Sequence, residues 1–167
     1  KRTKYKILSI DNYSSGNKKN HIDNKRVKYV KAHTKNISYI IKKPKTIHSI
    51  FHFGEFARIY QSFKKMDKCM DSNTIGSNAV FNFCLKHKIK LIYSATSATI
   101  GNKGLDKNLS PYAFTKAKNL ELLENLKEWF NFRYEIIYFY NVYGPNQITT
   151  GDMATVIGIF ENAVMNK

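Results

Sequence analysis

Residues 91–116 read LIYSATSATIGNKGLDKNLSPYAFTK, and this stretch decides the fold that we predict for the chain. Its first residues, Leu91-Ile92-Tyr93, form an apolar run that is typical of a buried parallel strand. The run then changes to small hydroxyl-bearing residues from Ser94 to Thr99 and reaches Gly101. Open α/β sheets bind ligands in the crevice at the carboxyl ends of their strands. The stretch therefore predicts an α/β fold whose strand end presents hydroxyl groups to a ligand.

Tyr112 and Lys116 follow, on what the pattern predicts to be the first turns of a helix. Side chains four residues apart share one helix face, so the phenol and the ammonium group should be neighbours. A phenol has an ordinary pKa of about 10, and a nearby ammonium group lowers that pKa. With the Thr96 hydroxyl, the pair suits acid–base chemistry on a substrate oxygen. By itself, a YxxxK spacing usually reflects two common residues that happen to lie four positions apart. In this chain it follows the Ser/Thr-rich strand end, and that position favours catalysis.

Apolar periodicity and turn residues predict where the remaining elements lie. We expect Leu120, Leu123 and Leu126 to face the core from the helix that follows Tyr112. Ile75, Ala79 and Phe83 (or Val80) should form the apolar face of an earlier helix. The predicted strands are 5–10, 27–32, 47–53, 90–93 and 134–140, and the predicted helices are 34–43 (capped by Thr34), 66–88, 112–130 and 153–166.

The composition restricts the possible partners. The formal net charge is +16, but only four of the 28 basic residues are arginines and the lysines are spread along the chain. Arginine forks are preferred for reading bases and clamping phosphates, so nucleic-acid binding is disfavoured. The charge supports at most a modest attraction for anionic substrates.

The sequence shows no signal for a membrane or a metal. It has no run of 18 apolar residues and no signal-peptide core at its beginning, so no transmembrane helix is predicted. Cys69 and Cys84 have neither CxxC spacing nor a cluster of histidines around them, so no metal site is predicted. Two unpaired cysteines suit a reducing cytoplasm.

Three segments occur in a characteristic order: SATSATIG at 94–101, YAFTK at 112–116 and YNVYGP at 140–145. With them the chain resembles the extended short-chain dehydrogenases/reductases, and within these the NAD-dependent sugar-nucleotide epimerases and dehydratases, nearest to UDP-glucose 4-epimerases. The resemblance extends from about Tyr5 to the C-terminus. It implies a Rossmann-like doubly wound parallel sheet. Residues 1–150 would form a partial NAD-binding domain, and residues 151–167 the first helix of a substrate-binding region.

The same resemblance implies an NAD-binding segment near the beginning of the chain. The residues that follow the first predicted strand match the family's LDNxSSG pattern. Asp11 would accept hydrogen bonds from the adenosine ribose and repel a 2′-phosphate, which favours NAD over NADP, although Lys18 and Lys19 nearby leave NADP open. Alone, such a segment is usually only a turn. The cofactor contacts implied here are Asp11, Asn12, Ser14, Ser15 and Gly16.

Further site residues are implied along the chain. His33-Thr34 stands where the family commonly has an acidic residue at the adenine, and Glu55 is unexpected beside phosphates, whose usual partners are backbone N–H groups. Asn73 matches a cofactor-contacting Asn, with a buried side chain bonded to neighbouring backbone as the alternative. The implied cofactor contacts are Thr34, Phe53, Gly54, Glu55, Asn73, Ser94, Tyr112, Lys116, Phe139 and Tyr140, and the implied substrate contacts are Thr96, Tyr112 and Asn141.

The Gly-rich turn of the family is not in the sequence, which contains neither GxxGxxG nor GxGxxG. The chain begins at what corresponds to the family's second strand, whereas the first strand lies in the middle of the sheet. We therefore expect a fragment of an enzyme of about 300 residues, inactive and unstable alone and binding NAD poorly. A gap of ~9–10 Å, two strand spacings, should separate the second and fourth strands of the family's sheet.

Several reactions remain open within the family. Dehydratases carry Asp-Glu after the catalytic Thr, and Ser97-Ala98 here cannot act as acid and base, so elimination is disfavoured. The resemblance favours 4-epimerisation of a UDP-hexose, with Tyr112 as base, Lys116 orienting the ribose and Thr96 holding the sugar oxygen. A reductase with the same residues is the alternative, and a non-catalytic NAD(H)-binding protein is a second. The full-length protein is expected to be a homodimer.

Overall fold

The computed structural model describes residues 4–166 of the chain. Parallel strands and helices alternate within them, which confirms the predicted α/β class. The strands are β1 (Ile7–Asp11), β2 (Val27–Lys31), β3 (Ser49–His52), β4 (Lys90–Thr96) and β5 (Tyr134–Phe139). The helices are α1 (Ile37–Ile40), α2 (Ile59–Lys64), α3 (Met66–Met70), α4 (Ser77–His87), α5 (Pro111–Phe130) and α6 (Val156–Met165).

The strands form two parallel sheets. β1 pairs with β2, with Ile7 opposite Val27, and β4 lies between β3 and β5, with Leu91 opposite both Ile50 and Tyr134. Within residues 4–166 no hydrogen-bonded ladder joins β1 to β3. β1–β2 and β3–β4 are thus paired on the two sides of the expected gap, and the width of the gap stays a prediction.

The central strand β4 is covered by helices. Leu91, Tyr93 and Ala95 are buried, and the core around them includes Val80 and Phe81 of α4. From α5, the predicted inward-facing leucines reach the same core: Leu123 and Leu126 are buried, and Leu120 packs against them partly buried. A strand that is buried on both faces is what the continuous apolar run at 91–93 predicts.

The long predicted helix 66–88 contains an irregularity that moves its apolar face. Between α3 and α4, residues Asp71–Gly76 form a π-helical segment, which holds more residues per turn than an α-helix. The wider turn places Asn73 in the interior and leaves Ile75 56% exposed. The prediction that Ile75 faces the core was wrong for this reason, whereas Val80 and Phe83 are buried and Ala79 packs against the core.

The turn after β2 connects the two-stranded sheet to this long helix. His33, not Thr34, caps the turn by accepting the amide of Lys35 at 3.1 Å, and α1 ends at Ile40 rather than Lys43. His33 and Lys35 both pair with Asp71, at 3.1 and 2.9 Å. The predicted cap at Thr34 was therefore wrong by one position, because a ring nitrogen of His33 accepts the backbone amide that the cap satisfies.

Helix α5 begins as its sequence requires. The hydroxyl of Ser110 accepts the amide of Ala113 at 3.0 Å, and Pro111 occupies the first turn, where its missing N–H costs no hydrogen bond. The helix ends at Asn131, whose φ of 51° is left-handed. This framework fixes the orientation of Tyr112 and Lys116.

Two further helices differ from expectation. α2 was not predicted, and α6 begins at Val156 after a Thr155 cap rather than at Met153. The division of the chain at residue 150 stays a prediction. No helix among the described residues is long and apolar enough to span a bilayer.

Candidate active site

The carboxyl ends of β3, β4 and β5 bring several of the predicted site residues together. Thr96 ends β4 and lies opposite Phe139, the last residue of β5. The ring of Phe53, which directly follows β3, meets Phe139 edge-on with 5.4 Å between centroids. The Ser94 hydroxyl donates to the carbonyl of His52 at 3.0 Å. These contacts form a polar and aromatic floor at the edge of the sheet where α/β proteins bind ligands.

Tyr112 and Thr96 meet at this edge. Both are nearly buried, at 9% and 8% exposure, and the Thr96 side chain acts on the Tyr112 phenol so as to lower its pKa. The Tyr112 amide donates to the Ser62 hydroxyl at 3.2 Å, which ties the start of α5 to α2. The two residues predicted to act on a substrate are therefore close enough for the Thr96 side chain to affect the pKa of Tyr112.

The pKa of Tyr112 is raised, contrary to the predicted lowering. Burial raises this pKa most, because it disfavours the phenolate. The hydrogen bond from Thr96 lowers the pKa, the Glu55 carboxylate raises it and Arg58 lowers it again, with a smaller rise from Cys69. The expected lowering by Lys116 was wrong for this structure, because burial outweighs the favourable charges.

Lys116 has a partner that the sequence did not reveal. Its Nζ donates to Glu55 Oε2 and to the backbone carbonyl of Ser94, and to the Ser94 hydroxyl at 3.2 Å. It also lies 4.8 Å from the ring centroid of Tyr93. Side chains of Lys116 and Glu55 are 4% and 2% exposed. The ammonium group is thus bonded within the protein, and its predicted contact with a ribose stays a prediction.

The Glu55 carboxylate lies at the centre of a buried hydrogen-bond network. Besides Lys116 it accepts from the hydroxyls of Ser77 and Tyr93, at 2.6 and 3.0 Å, and from the amide of Asn119 at 3.1 Å. Burial and this carboxylate together raise the pKa of Tyr93 well above its ordinary value. The side chain points into the protein rather than toward a phosphate. A carboxylate placed three residues beyond the buried end of β3 was the available signal.

His52 continues the network below Glu55. Its ring is 2% exposed, and burial lowers its pKa more than the Glu55 charge raises it, so the imidazole is neutral. The Ser77 hydroxyl has one proton and gives it to Glu55, so His52 Nε2 carries a hydrogen and donates it to Ser77 at 2.8 Å. The sequence analysis did not identify His52 or Ser77 as site residues.

Asn73 is a buried, fully bonded side chain, which is the alternative considered for it. It is 0% exposed, its oxygen accepts the Phe56 amide at 2.7 Å, and its nitrogen donates to the Phe56 carbonyl and to Thr115, both at 3.1 Å. Both halves of the amide are used within the protein. Any influence of Asn73 on a cofactor would therefore act through the position of Phe56.

The predicted ribose segment forms a separate, exposed turn after β1. One Asp11 oxygen accepts the amide of Tyr13 at 2.7 Å, and Asn12 accepts the amide of Ser14 at 2.9 Å. A Cβ on Gly16 would lie 2.9 Å from the other Asp11 oxygen, so a glycine allows the turn to close over the carboxylate. The exposed residues of this turn include Asp11, Asn12, Ser14, Ser15 and Gly16.

The other predicted contacts vary in exposure. Thr34 packs its methyl 3.1 Å from the position of a Cβ on Gly54, and its hydroxyl is buried without a partner among the described residues. Tyr140 is 67% exposed, and Asn141 is exposed beside it. They lie beyond β5, outside the hydrogen-bonded cluster around Lys116.

The comparisons with known proteins agree with this geometry. Residues 1–166 match the NAD dependent epimerase/dehydratase family. The chain belongs to this family. NAD is the cofactor that defines it, and its members are epimerases and dehydratases.

Individual relatives of this family are larger than the chain. An ADP-L-glycero-D-manno-heptose-6-epimerase of Fusobacterium nucleatum is 27% identical over 123 residues, covering 66% of this chain and 36% of its own. A UDP-N-acetylglucosamine 4-epimerase from Methanobrevibacter ruminantium, solved with UDP-N-acetylmuramic acid, is 26% identical with a TM-score of 0.79, covering 96% of this chain and 55% of its own. A UDP-glucose 4-epimerase from Thermotoga maritima, solved with UDP-glucose, is 23% identical with a TM-score of 0.82, covering 98% and 56%.

These comparisons establish the Rossmann-like fold for nearly the whole chain. The chain spans about half the length of the solved relatives and about a third of the curated one. The chemistry of the Asp11 turn fits NAD: an exposed carboxylate at a strand end accepts from a ribose diol and repels the additional phosphate of NADP.

Proposed function

We propose that the protein is a sugar-nucleotide epimerase that inverts C4 of a UDP-hexose by transient hydride transfer to bound NAD. The observation that supports this most is the nearly buried pair of Thr96, the last residue of β4, and Tyr112, whose pKa the Thr96 side chain lowers. The family assignment and the names of its 4-epimerase relatives agree with it.

In this proposal Tyr112 accepts and returns the proton of the sugar hydroxyl at the reacting carbon. The Thr96 side chain favours the phenolate form of Tyr112, and in this proposal its hydroxyl holds the same sugar oxygen. Lys116 lies one helical turn beyond Tyr112 and supplies positive charge to the site. Burial around Tyr112 excludes water, so each of these polar contacts is stronger than it would be in solvent.

NAD, when bound, takes up a hydride from the sugar carbon and returns it to the opposite face. We propose that the adenosine ribose is held by the turn after β1 and the nicotinamide half by the floor around Phe53. The proposed cofactor contacts are those named from the sequence apart from Glu55 and Asn73, whose side chains are bonded within the protein. They are Asp11, Asn12, Ser14, Ser15, Gly16, Thr34, Phe53, Gly54, Ser94, Tyr112, Lys116, Phe139 and Tyr140. Asn141 is proposed to bind the substrate with Thr96 and Tyr112.

The alternatives differ in their products. A dehydratase needs a further acid and base, and the residues after Thr96 are Ser97 and Ala98. A reductase would use the same three residues but release an oxidised or reduced sugar. A non-catalytic NAD(H)-binding protein would not require the hydroxyl pair. Assembly as a homodimer is proposed from the resemblance alone, and a cytoplasmic location from the two free, buried thiols.

The experiment is to incubate the full-length protein that contains this chain with NAD and UDP-glucose and to follow UDP-galactose by chromatography and NADH by absorbance. An epimerase forms product without net NADH, whereas NADH that accumulates in proportion to product would indicate a dehydrogenase instead. Tyr112→Phe should reduce turnover by about 10²-fold or more while the far-UV spectrum is unchanged. Tyr39→Phe is the matched control, because Tyr39 is 75% exposed. Full activity in Tyr112→Phe would contradict the proposed acid–base residue.

A further inference from the structure

Glu55 lies at a position that the resemblance assigns to a cofactor contact, but its side chain is bonded within the protein. It comes three residues after His52, the end of β3, and its side chain is only 2% exposed. Its two oxygens accept hydrogen bonds from four side chains, which come from the π-to-α junction, β4 and α5: Ser77, Tyr93, Asn119 and Lys116. A buried carboxylate that accepts hydrogen bonds from four side chains is a specific feature of the fold and not a chance contact.

The contact with Lys116 is the one that bears on chemistry. A buried ammonium group without an opposite charge is strongly destabilised in a protein interior. Here Glu55 supplies that charge, and the Ser94 carbonyl at the end of β4 supplies a second acceptor. Two fixed acceptors from different elements hold Nζ in one place beside Tyr93 and below the strand end that bears Thr96.

We propose that Glu55 is a positioning residue for Lys116 and the counter-charge of the proposed active site. The proposal rests on the assignment of Tyr112 as the acid–base residue. Lys116 would remain charged and fixed, while the net charge near Tyr112 would be set by the balance between Glu55 and the nearby cations. Glu55 would then act on the reaction without touching the substrate.

The charged and titratable groups around Tyr112 define the expected effect. Glu55 and Cys69 raise the pKa of Tyr112, and Arg58, which precedes α2, lowers it. Removing the Glu55 charge leaves the positive charges of Arg58 and Lys116 uncompensated, so the pKa of Tyr112 should fall. The groups that face this region are His52 of β3, Glu55 and Arg58 after β3, Cys69 of α3, Tyr93 of β4 and Lys116 of α5.

The experiment is an alkaline NMR titration of the full chain with tyrosine isotopically labelled at Cζ. The Tyr112 resonance is identified by its loss in Tyr112→Phe. In Glu55→Gln we expect its titration midpoint, or the pH at which it begins to shift, to fall by about one pH unit. Glu135→Gln is the matched control, because Glu135 pairs with Lys90 at the exposed opposite end of β5. A Tyr112 resonance that responds to pH equally in wild type and Glu55→Gln overturns the proposal.

A second measurement covers a failure of Glu55→Gln to fold. Adding Lys116→Gln to Glu55→Gln removes the positive charge that has lost its partner, and it should restore a cooperative unfolding transition. A double variant no more stable than Glu55→Gln overturns the proposal.

The NMR readout uses no substrate. If UDP-glucose is not converted but the Tyr112 midpoint falls, only the proposed reaction fails. If UDP-glucose is converted and the midpoint does not change, only the role of Glu55 fails.

Discussion

Lys116 and Glu55 form an ion pair whose side chains are 4% and 2% exposed, and it joins α5 to the segment after β3. The two residues are 61 positions apart in the chain. The pair holds the residue proposed to act beside Tyr112 against the end of the central strand, so it links the stability of the fold to the arrangement of the site.

Lys116→Met should destabilise the protein by about 3–5 kcal/mol, because it leaves the Glu55 carboxylate buried without its cation. Lys118→Met on the same helix is the control, because Lys118 is exposed and its ion pair with Glu121 is screened by solvent. Urea unfolding followed by circular dichroism measures both. Equal midpoints for the two variants would show that the buried pair contributes no more than a surface contact.

Thr96→Ser should keep most of the activity, and Thr96→Ala should lose about 10²-fold or more, because only the hydroxyl bonds the reacting oxygen. The hydrogen bond from Thr96 lowers the pKa of Tyr112, so its loss in the Ala variant raises that pKa further. Less phenolate is then present at any given pH, and the rising limb of the pH–kcat profile should move to higher pH. Identical profiles for Ser and Ala would remove Thr96 from the mechanism.

Asn73→Ala should destabilise the protein by at least about 2 kcal/mol, since it removes the hydrogen bonds of Asn73 to the Phe56 amide and the Phe56 carbonyl. Asn78→Ala on α4 is the matched control, because Asn78 is exposed. Thermal unfolding of both variants tests the expectation. If Asn73→Ala unfolds at the same temperature as the wild type, the side-chain amide of Asn73 has no structural role.

Gly76→Ala should be destabilising by about 1–2 kcal/mol, although Ala is normally the better helix residue. A Cβ at this position would overlap the Thr34 hydroxyl and would lie 3.2 Å from the His33 ring. In a Thr34→Ala background the closest clash is gone, and Gly76→Ala should become neutral or stabilising. The urea unfolding midpoints of the wild type, the two single variants and the double variant give the coupling between residues 34 and 76. Additive effects on stability would show that the two sites do not interact.

Stability should decrease as the pH rises above about 9, where an unfolded thiol ionises. Burial raises the pKa of Cys84 from 9.0 to about 12, so the folded protein keeps this thiol neutral while the unfolded chain releases its proton. The contribution is fully present below pH 9 and lost toward pH 12. Urea midpoints at about pH 8 and about pH 10 measure it. Cys84→Ala should show a smaller decrease, and an equal decrease would assign the effect to other groups.

The sequence by itself determined the elements whose signals are local. The apolar run at 91–93, the helix predicted from Tyr112 and its leucines each depend on neighbouring residues, and all agree with the fold. The motifs around Thr96, Tyr112 and Lys116 likewise led to the correct family. Such features depend on hydrogen bonds and periodicity within one element, which the order of residues specifies.

Only the tertiary structure decided what surrounds those residues. The burial that raises the pKa of Tyr112, the π-helical segment that turns Ile75 outward and the partners of Asn73 all depend on contacts between distant elements. Glu55 could be recognised as unusual from its position, but its pairing with Lys116 required β3, β4 and α5 to converge. Burial and charge pairing are properties of the packed chain, so a linear pattern predicts which groups are present but not the electrostatic environment in which they act.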